Sequence, residues 1–80
     1  MPTVLRRDGF RFFFHSNEGN EPPHVHVAQA ERRAKLRLGP DVELAWSYGF
    51  RQNELSAIKK IVMESRDRFE EAWHEHFGRA

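Results

Sequence analysis

Cysteine is absent from this 80-residue sequence, and no apolar run approaches the length of a membrane span. Without cysteine the chain forms no disulfide, offers no thiolate nucleophile and builds no cysteine-type zinc site. A spanning helix needs about 18 consecutive apolar residues, and the first residues show no basic segment followed by an apolar stretch. We therefore expect neither membrane insertion nor classical secretion, and we predict a cytoplasmic protein.

The length and composition indicate one small globular unit. Eighty residues are about half of a common domain length, so we predict a single domain over residues 1–80. Seven phenylalanines and two tryptophans can supply a modest core, while a charged fraction of 31% favours a solvated surface over disorder. A domain of this size buries only about 60% of its unfolded surface, so limited stability or a binding partner is expected.

Charge is nearly balanced overall but is distributed unevenly. The net charge is +1, yet residues 1–40 carry seven Arg or Lys against four Asp or Glu, whereas residues 41–80 carry six against eight. The basic half also holds His15, His24 and His26. Such a small net charge does not predict strong nonspecific binding to nucleic acid, but one basic face could contact phosphates.

The first half of the sequence reads as strands joined by turns. Asp8-Gly9 separates β-branched and aromatic residues at 3–7 and 10–15, which is a strong signal for a two-residue hairpin. Residues 24–28 and 33–38 alternate between polar and apolar and predict a second hairpin through residues 29–32. Residues 42–46 indicate a short further strand.

The second half has a helical period from about Gln52, and Gly78 is a plausible stop. Either one long helix or two helices broken near Ser65 would fit. The apolar stripe consists of Leu55, Ile58, Val62, Phe69, Ala72, Trp73 and Phe77. We predict an α+β fold, in which an antiparallel sheet of four or five strands is covered on one face by a long C-terminal helix.

Strand alternation assigns the sheet residues to two faces. Those expected to face the helix are Phe10, Phe12, Phe14, Val25, Val27, Ala34, Leu36 and Leu38. The opposite face would collect Arg11, Phe13, His15, His24, His26, Arg33, Lys35 and Arg37. This second set combines positive charge with an aromatic ring, so we predict RNA binding by Arg11, Phe13, Arg33, Lys35 and Arg37. The alternative is an ordinary solvated sheet surface.

The most specific motif is Pro22-Pro23-His24-Val25-His26-Val27, which places two imidazoles side by side on a strand. They could act as general acid and base in metal-independent RNA cleavage, which would make His24 and His26 catalytic and require no cofactor. Alternatively they could bind a metal with His15 or Glu21 as third ligand. They could also be surface or hydrogen-bonded histidines. We expect both outside the core, so that alanine would cost under about 0.5 kcal/mol.

Other catalytic motifs are missing from the sequence. There is no glycine-rich phosphate loop, no Gly-x-Ser-x-Gly and no His-Glu-x-x-His. His74 and His76 fall at the end of the helical pattern, where a positive charge complements the helix dipole. We interpret these two histidines as structural.

Three segments carry a family resemblance: residues 1–5, residues 12–27 with the motif Glu21-Pro22-Pro23-His24-Val25-His26, and residues 72–78. Together they resemble an uncharacterised family of small bacterial proteins classed as a domain of unknown function. Genes of that family often lie beside a gene for another small domain of unknown function, which implies a two-component module resembling a toxin–antitoxin pair. Two departures from the family are the absence of Gly from residues 29–32 and the presence of Arg51 where a Ser cap is usual.

These observations lead to one functional prediction and two alternatives. We predict a component of a toxin–antitoxin-like module, with RNA cleavage by the histidine pair as its suggested activity. The alternatives are a non-catalytic partner-binding or regulatory module and a small histidine-based metal-binding protein. The expected partners are a small cognate protein encoded nearby and RNA, with no membrane; homodimer formation is left open.

Overall fold

The computed structural model describes residues 3–78, which form five strands followed by two helices. All neighbouring strands are antiparallel, and the order across the sheet is β1-β2-β3-β4-β5. The α+β class and the five-stranded sheet are therefore confirmed. The elements are β1 (Thr3–Arg7), β2 (Phe10–Phe13), β3 (His24–Gln29), β4 (Arg32–Arg37), β5 (Glu43–Tyr48), α1 (Gln52–Glu64) and α2 (Arg66–Phe77).

The turn between β1 and β2 has the chemistry that its sequence predicts. Asp8 has φ 54° and Gly9 has φ 83°, so both turn residues lie in the left-handed region. A two-residue turn with positive φ at both positions matches the right-handed twist of the flanking strands, and Asp-Gly is among its preferred sequences. The first predicted hairpin is confirmed.

The turn between β3 and β4 is strained at Ala30. Gln29 pairs with Arg32, so only Ala30 and Glu31 lie between the strands, and Ala30 has φ 55°. The left-handed region costs an L-residue about 1–2 kcal/mol because Cβ approaches the following carbonyl oxygen. Because residues 29–32 contain no glycine, an alanine occupies this left-handed position.

Ala30→Gly is expected to raise the free energy of unfolding by about 0.5–1 kcal/mol, because relief of this strain exceeds the greater unfolded-state entropy of glycine. Urea denaturation measures the change. Ala57→Gly is the matched control, since Ala57 is exposed within α1, where glycine should cost about 1 kcal/mol. Equal destabilisation at both positions would show that Ala30 is not strained.

The core lies between one face of the sheet and the two helices. All eight residues that alternation assigned to this face belong to the core, including Phe14 and Leu38, which directly follow β2 and β4, so that assignment is confirmed. The buried core residues are Phe10, Phe12, Phe14, Val25, Val27, Ala34, Leu36, Leu38, Val42, Ile58, Ile61, Val62, Phe69 and Trp73. We call the opposite side of the sheet the outer face.

The expected single long helix is not confirmed, because the helical layer breaks at Ser65. Ser65 has φ −108° and ψ 12°, and its N–H donates to the carbonyls of Ile61 and Val62. Immediately afterwards, Arg66 Nε donates to the Leu38 and Gly39 carbonyls at 3.1 and 2.7 Å. This contact fixes the start of α2 against the end of β4. Within residues 3–78, neither helix is long and apolar enough to cross a membrane.

The start of α1 has a capping contact that was not predicted, whereas the end of α2 has the predicted glycine. Glu54 Oε1 accepts a hydrogen bond of 2.8 Å from the Arg51 N–H, which supplies the carboxylate half of a capping box. Arginine has no side-chain acceptor for the other half. At the end of α2, Gly78 follows the last helical residue with φ 80°, as predicted.

A bulge in β5 reverses the orientation of the residues that follow it. Leu44 pairs with Leu36, whereas Trp46 pairs with the adjacent Lys35, so Ala45 is an extra residue in the ladder. An inserted residue moves every later side chain of the strand to the opposite face. Trp46 and Tyr48 are consequently on the outer face, while Leu44 remains on the helix side.

Candidate functional site

The strand register aligns two rows of side chains across the outer face. We call the first the arginine row; it crosses all five strands and consists of Arg6, Arg11, Ala28, Arg33 and Tyr48. The adjacent row also crosses all five strands and consists of Thr3, Phe13, His26, Lys35 and Trp46. The outer face thus brings basic and aromatic side chains together in register.

The arginine row has a small side chain at its centre. Ala28 is buried between Arg11 and Arg33, which stand one strand away on either side, at a spacing of about 4.8 Å per strand. Arg11 Nε donates to Thr3 Oγ1, and its guanidinium lies 4.6 Å from the Phe13 ring centroid. Arg33 is exposed, and its Nη1 donates to the carbonyls of Ala30 and Arg32, each at 2.7 Å. Hydrogen bonds to neutral carbonyls position Arg33 without neutralising its charge.

Two aromatic side chains beside the arginines are exposed. Trp46 is 47% and Tyr48 69% accessible, although large apolar groups are usually buried. Sequence analysis missed both as site residues, because it ended the fifth strand at residue 46 and could not locate the bulge. Only the aromatic character of Trp46 and Tyr48, next to a predicted strand, could have indicated them as site residues.

The other predicted RNA-binding residues differ in accessibility. Arg37 is exposed and pairs in register with Glu43. Lys35 Nζ is 3.1 Å from Glu21 Oε1, so part of its charge is neutralised. The exposure expected for Phe13 is wrong: it is 3% accessible, lying between the Arg11 guanidinium and the stacked His26 ring. Phe13 therefore packs beneath the outer face, and neither face of its ring is open to a nucleobase.

The two histidines of the motif are also buried, which corrects the expectation that they lie outside the core. His24 is 1% and His26 5% accessible. Glu18, from the segment between β2 and β3, places Oε1 2.7 Å from His24 Nε2 and 2.8 Å from His26 Nε2. His24 Nδ1 is 2.9 Å from the Pro22 carbonyl oxygen. We call Glu18, His24 and His26 the histidine cluster.

Aromatic rings surround the histidine cluster. His24 packs against Trp73 of α2 with ring centroids 4.8 Å apart. The His15 ring is 4.1 Å from that of His26, and Trp46 lies 6.4 Å from the same ring. The three sequence-predicted histidines are therefore brought together. Glu18, rather than the predicted Glu21, supplies the carboxylate shared by His24 and His26.

Burial and hydrogen bonding shift two pKa values in the cluster. Burial by itself raises the pKa of the Glu18 carboxyl, but the short polar contacts with His24 and His26 outweigh it and hold the pKa below its usual value. Burial lowers the pKa of His26; the hydrogen bond to Glu18 opposes this effect, and the neighbouring His15 adds to it. The site consequently favours an ionised carboxylate beside a neutral His26.

One known protein family matches most of the chain, including most of the residues described above. A family model described as a domain of unknown function, DUF4160, matches residues 9–74. The chain belongs to this family. No curated protein and no solved structure matches the chain. The DUF4160 match includes the histidine cluster, both exposed aromatics and four members of the arginine row, with only Arg6 outside it.

Proposed function

We propose that this protein binds single-stranded RNA on the outer face of its sheet, as one component of a bacterial two-gene module resembling a toxin–antitoxin pair. The observation that carries the RNA part is the arginine row with the exposed rings of Tyr48 and the adjacent Trp46. The module part is supported by the family resemblance. The resemblance implies that the partner is a small cognate protein encoded nearby.

The two exposed rings fit unstacked bases. Nucleobases stack on aromatic side chains with about 1–3 kcal/mol per base, and this contact tolerates any sequence because every base has a π-face. A sheet presents its rings to a single strand, whose bases are not already stacked in a duplex. The Tyr48 hydroxyl adds a donor and an acceptor for the 2′-hydroxyl, the group that distinguishes RNA from DNA.

The arginines fit the phosphates of the same strand. Arg6 and Arg33 are exposed on the outer face, and Arg11 is partly exposed between them. Guanidinium groups bind phosphate oxygens through paired N–H donors. The buried Ala28 leaves a low centre between Arg11 and Arg33, so a backbone can approach both groups.

Cleavage by the histidine pair is not retained in this proposal. A general acid or base must come within about 2.6–3.2 Å of the proton that it transfers, or act through one water. His24 and His26 are buried, and their Nε2 atoms face Glu18. We therefore propose binding without metal-independent turnover.

Binding of a mixed single-stranded RNA pool tests the proposal. Tyr48→Ala and Trp46→Ala should each weaken affinity by roughly 5- to 150-fold, the loss expected for one stacked base. Met63→Ala is the control, since Met63 is an exposed apolar residue on α1. Single-stranded DNA should bind more weakly than RNA. Equal affinities of all three variants, or no RNA binding by the wild type, would refute the interface.

Salt dependence tests the arginine row separately. Arg33→Ala should reduce the slope of log affinity against log salt by about 0.7, because one fewer phosphate contact releases one fewer counterion. Lys60→Ala, which removes an exposed charge on α1, should leave the slope unchanged. Incubation of the pool in EDTA should leave the RNA uncut.

Expression tests the module assignment. Growth inhibition by this protein, relieved by its neighbouring gene product, would identify it as the toxic component. Formation of a complex without growth inhibition would support the regulatory role. Absence of any complex with the neighbouring product would contradict the two-gene proposal but leave RNA binding intact.

A further inference from the structure

The contacts of His24 determine which of its ring nitrogens carries a hydrogen. Nδ1 is 2.9 Å from the Pro22 carbonyl oxygen, which can only accept a hydrogen bond, so Nδ1 is protonated. In a neutral imidazole the other nitrogen then has a lone pair. That nitrogen, Nε2, is 2.7 Å from Glu18 Oε1, which is also an acceptor. A positive species, either a second proton or a metal ion, is needed between these two atoms.

His26 directs a third donor atom to the same point. Its Nε2 is 2.8 Å from Glu18 Oε1, and the ligand atoms of Glu18, His24 and His26 all lie within 4.8 Å of one another. Both imidazoles are buried, so the side chains are already desolvated and their orientations are fixed by packing. Preorganised imidazoles with an adjacent carboxylate form a common transition-metal donor set.

The second contact of His24 is also typical of a metal ligand. Imidazoles that bind metal through one nitrogen usually donate their other N–H to a carbonyl or carboxylate, which fixes the tautomer and ring orientation. The Pro22 carbonyl has this role for His24, and the two prolines restrict the backbone that presents it. Trp73 holds the same ring from the helix side, at 4.8 Å.

We propose that Glu18, His24 and His26 bind one divalent transition-metal ion with the preferences of zinc. Nitrogen donors favour zinc and its neighbours over magnesium or calcium, which prefer oxygen. Three protein ligands leave a fourth position for water or for His15, whose ring is beside that of His26. In a tetrahedral site with bonds of about 2.0–2.1 Å, ligand atoms are about 3.4 Å apart. Metal binding would therefore lengthen the two Glu18 Oε1 contacts, now 2.7 and 2.8 Å, by roughly 0.6–0.7 Å.

The proposed metal ligands differ from the proposed RNA-binding residues, although the His26 ring lies 6.4 Å from that of Trp46. The first experiment uses untagged, EDTA-stripped protein titrated with ZnCl₂, and separately with CoCl₂ and MgCl₂. We expect one Zn²⁺ per chain, a cobalt absorption spectrum typical of four-coordination, and no magnesium binding. Zinc at 100 times its dissociation constant should raise the melting temperature by roughly 10 °C or more.

Two isosteric variants locate the carboxylate ligand. Glu18→Gln should weaken zinc affinity by at least about 100-fold, since loss of an outer contact alone costs about 10- to 100-fold. Glu21→Gln is the matched control from the same segment, because the Glu21 carboxylate contacts Lys35 and is 4.0 Å from His24 Nδ1. Its affinity should remain within about threefold of wild type. Circular dichroism in EDTA confirms that both variants fold.

The proposal is overturned if the wild-type protein binds no zinc, which would mean that a proton alone occupies the contact between His24 and Glu18. It is also overturned if Glu18→Gln binds zinc as tightly as wild type, or if Glu21→Gln is the variant that loses binding. Zinc binding that depends on Glu18 and not on Glu21 supports it.

Discussion

Phe69→Ala is expected to lower the free energy of unfolding by about 3–5 kcal/mol. Phe69 is fully buried in α2, and its ring lies 5.6 Å from that of Phe12, which is buried in β2. The substitution removes most of an aromatic side chain and leaves a cavity where helix meets sheet. A chain of this length has a total stability of about 4–12 kcal/mol, so the loss is a large fraction of it.

Urea denaturation followed by circular dichroism measures this loss. Glu71→Ala is the control from the same helix, because Glu71 is exposed and alanine is a strong helix former, so a change within about 0.5 kcal/mol is expected. If Phe69→Ala were as stable as the control, α2 would not be packed on the sheet as described.

His24→Ala is expected to destabilise the protein by about 2–4 kcal/mol, well beyond the 0.5 kcal/mol that its sequence position suggested. The imidazole is buried, packs on Trp73 and has a polar partner at each nitrogen. Alanine would leave the Pro22 carbonyl and a Glu18 oxygen with one partner fewer and would open a cavity beside Trp73.

This experiment is performed in EDTA, so that only the protein contacts of His24 contribute. His76→Ala serves as the control histidine, because His76 is exposed at the end of α2. Its loss should change stability by less than about 1 kcal/mol. A His24→Ala variant as stable as His76→Ala would restore the original view of His24 as a surface residue.

The predictable parts of the fold are those determined by local chemistry. Asp8-Gly9 predicts its hairpin because few residue pairs accept positive φ at both positions. Alternation in β3 and β4 identifies Val25, Val27, Leu36 and their neighbours as core because the side-chain period of a strand is two. The sequence does not distinguish a break at Ser65 from a continuous helix, because helical periodicity persists on both sides of one irregular residue.

The site was less predictable because it depends on nonlocal features. One extra residue, Ala45, transfers Trp46 and Tyr48 to the outer face, and a period-two pattern cannot reveal an insertion within itself. Glu18 lies in a turn-rich segment without periodicity, so its contact with His24 and His26 follows only from how that segment folds over the sheet. The basic character of the face was predicted, but burial of its histidines was not.

The strand order has a consequence for the speed of folding. Each strand pairs with its neighbour in sequence, and the connections within the sheet are residues 8–9, 14–23, 30–31 and 38–42. No strand pair in the sheet joins the first strand to the last. Loop-closure entropy is therefore small for every strand pair, and the sheet has a low contact order for a β-rich protein. We therefore expect this sheet to fold faster than one of the same size whose strands pair across long stretches of chain.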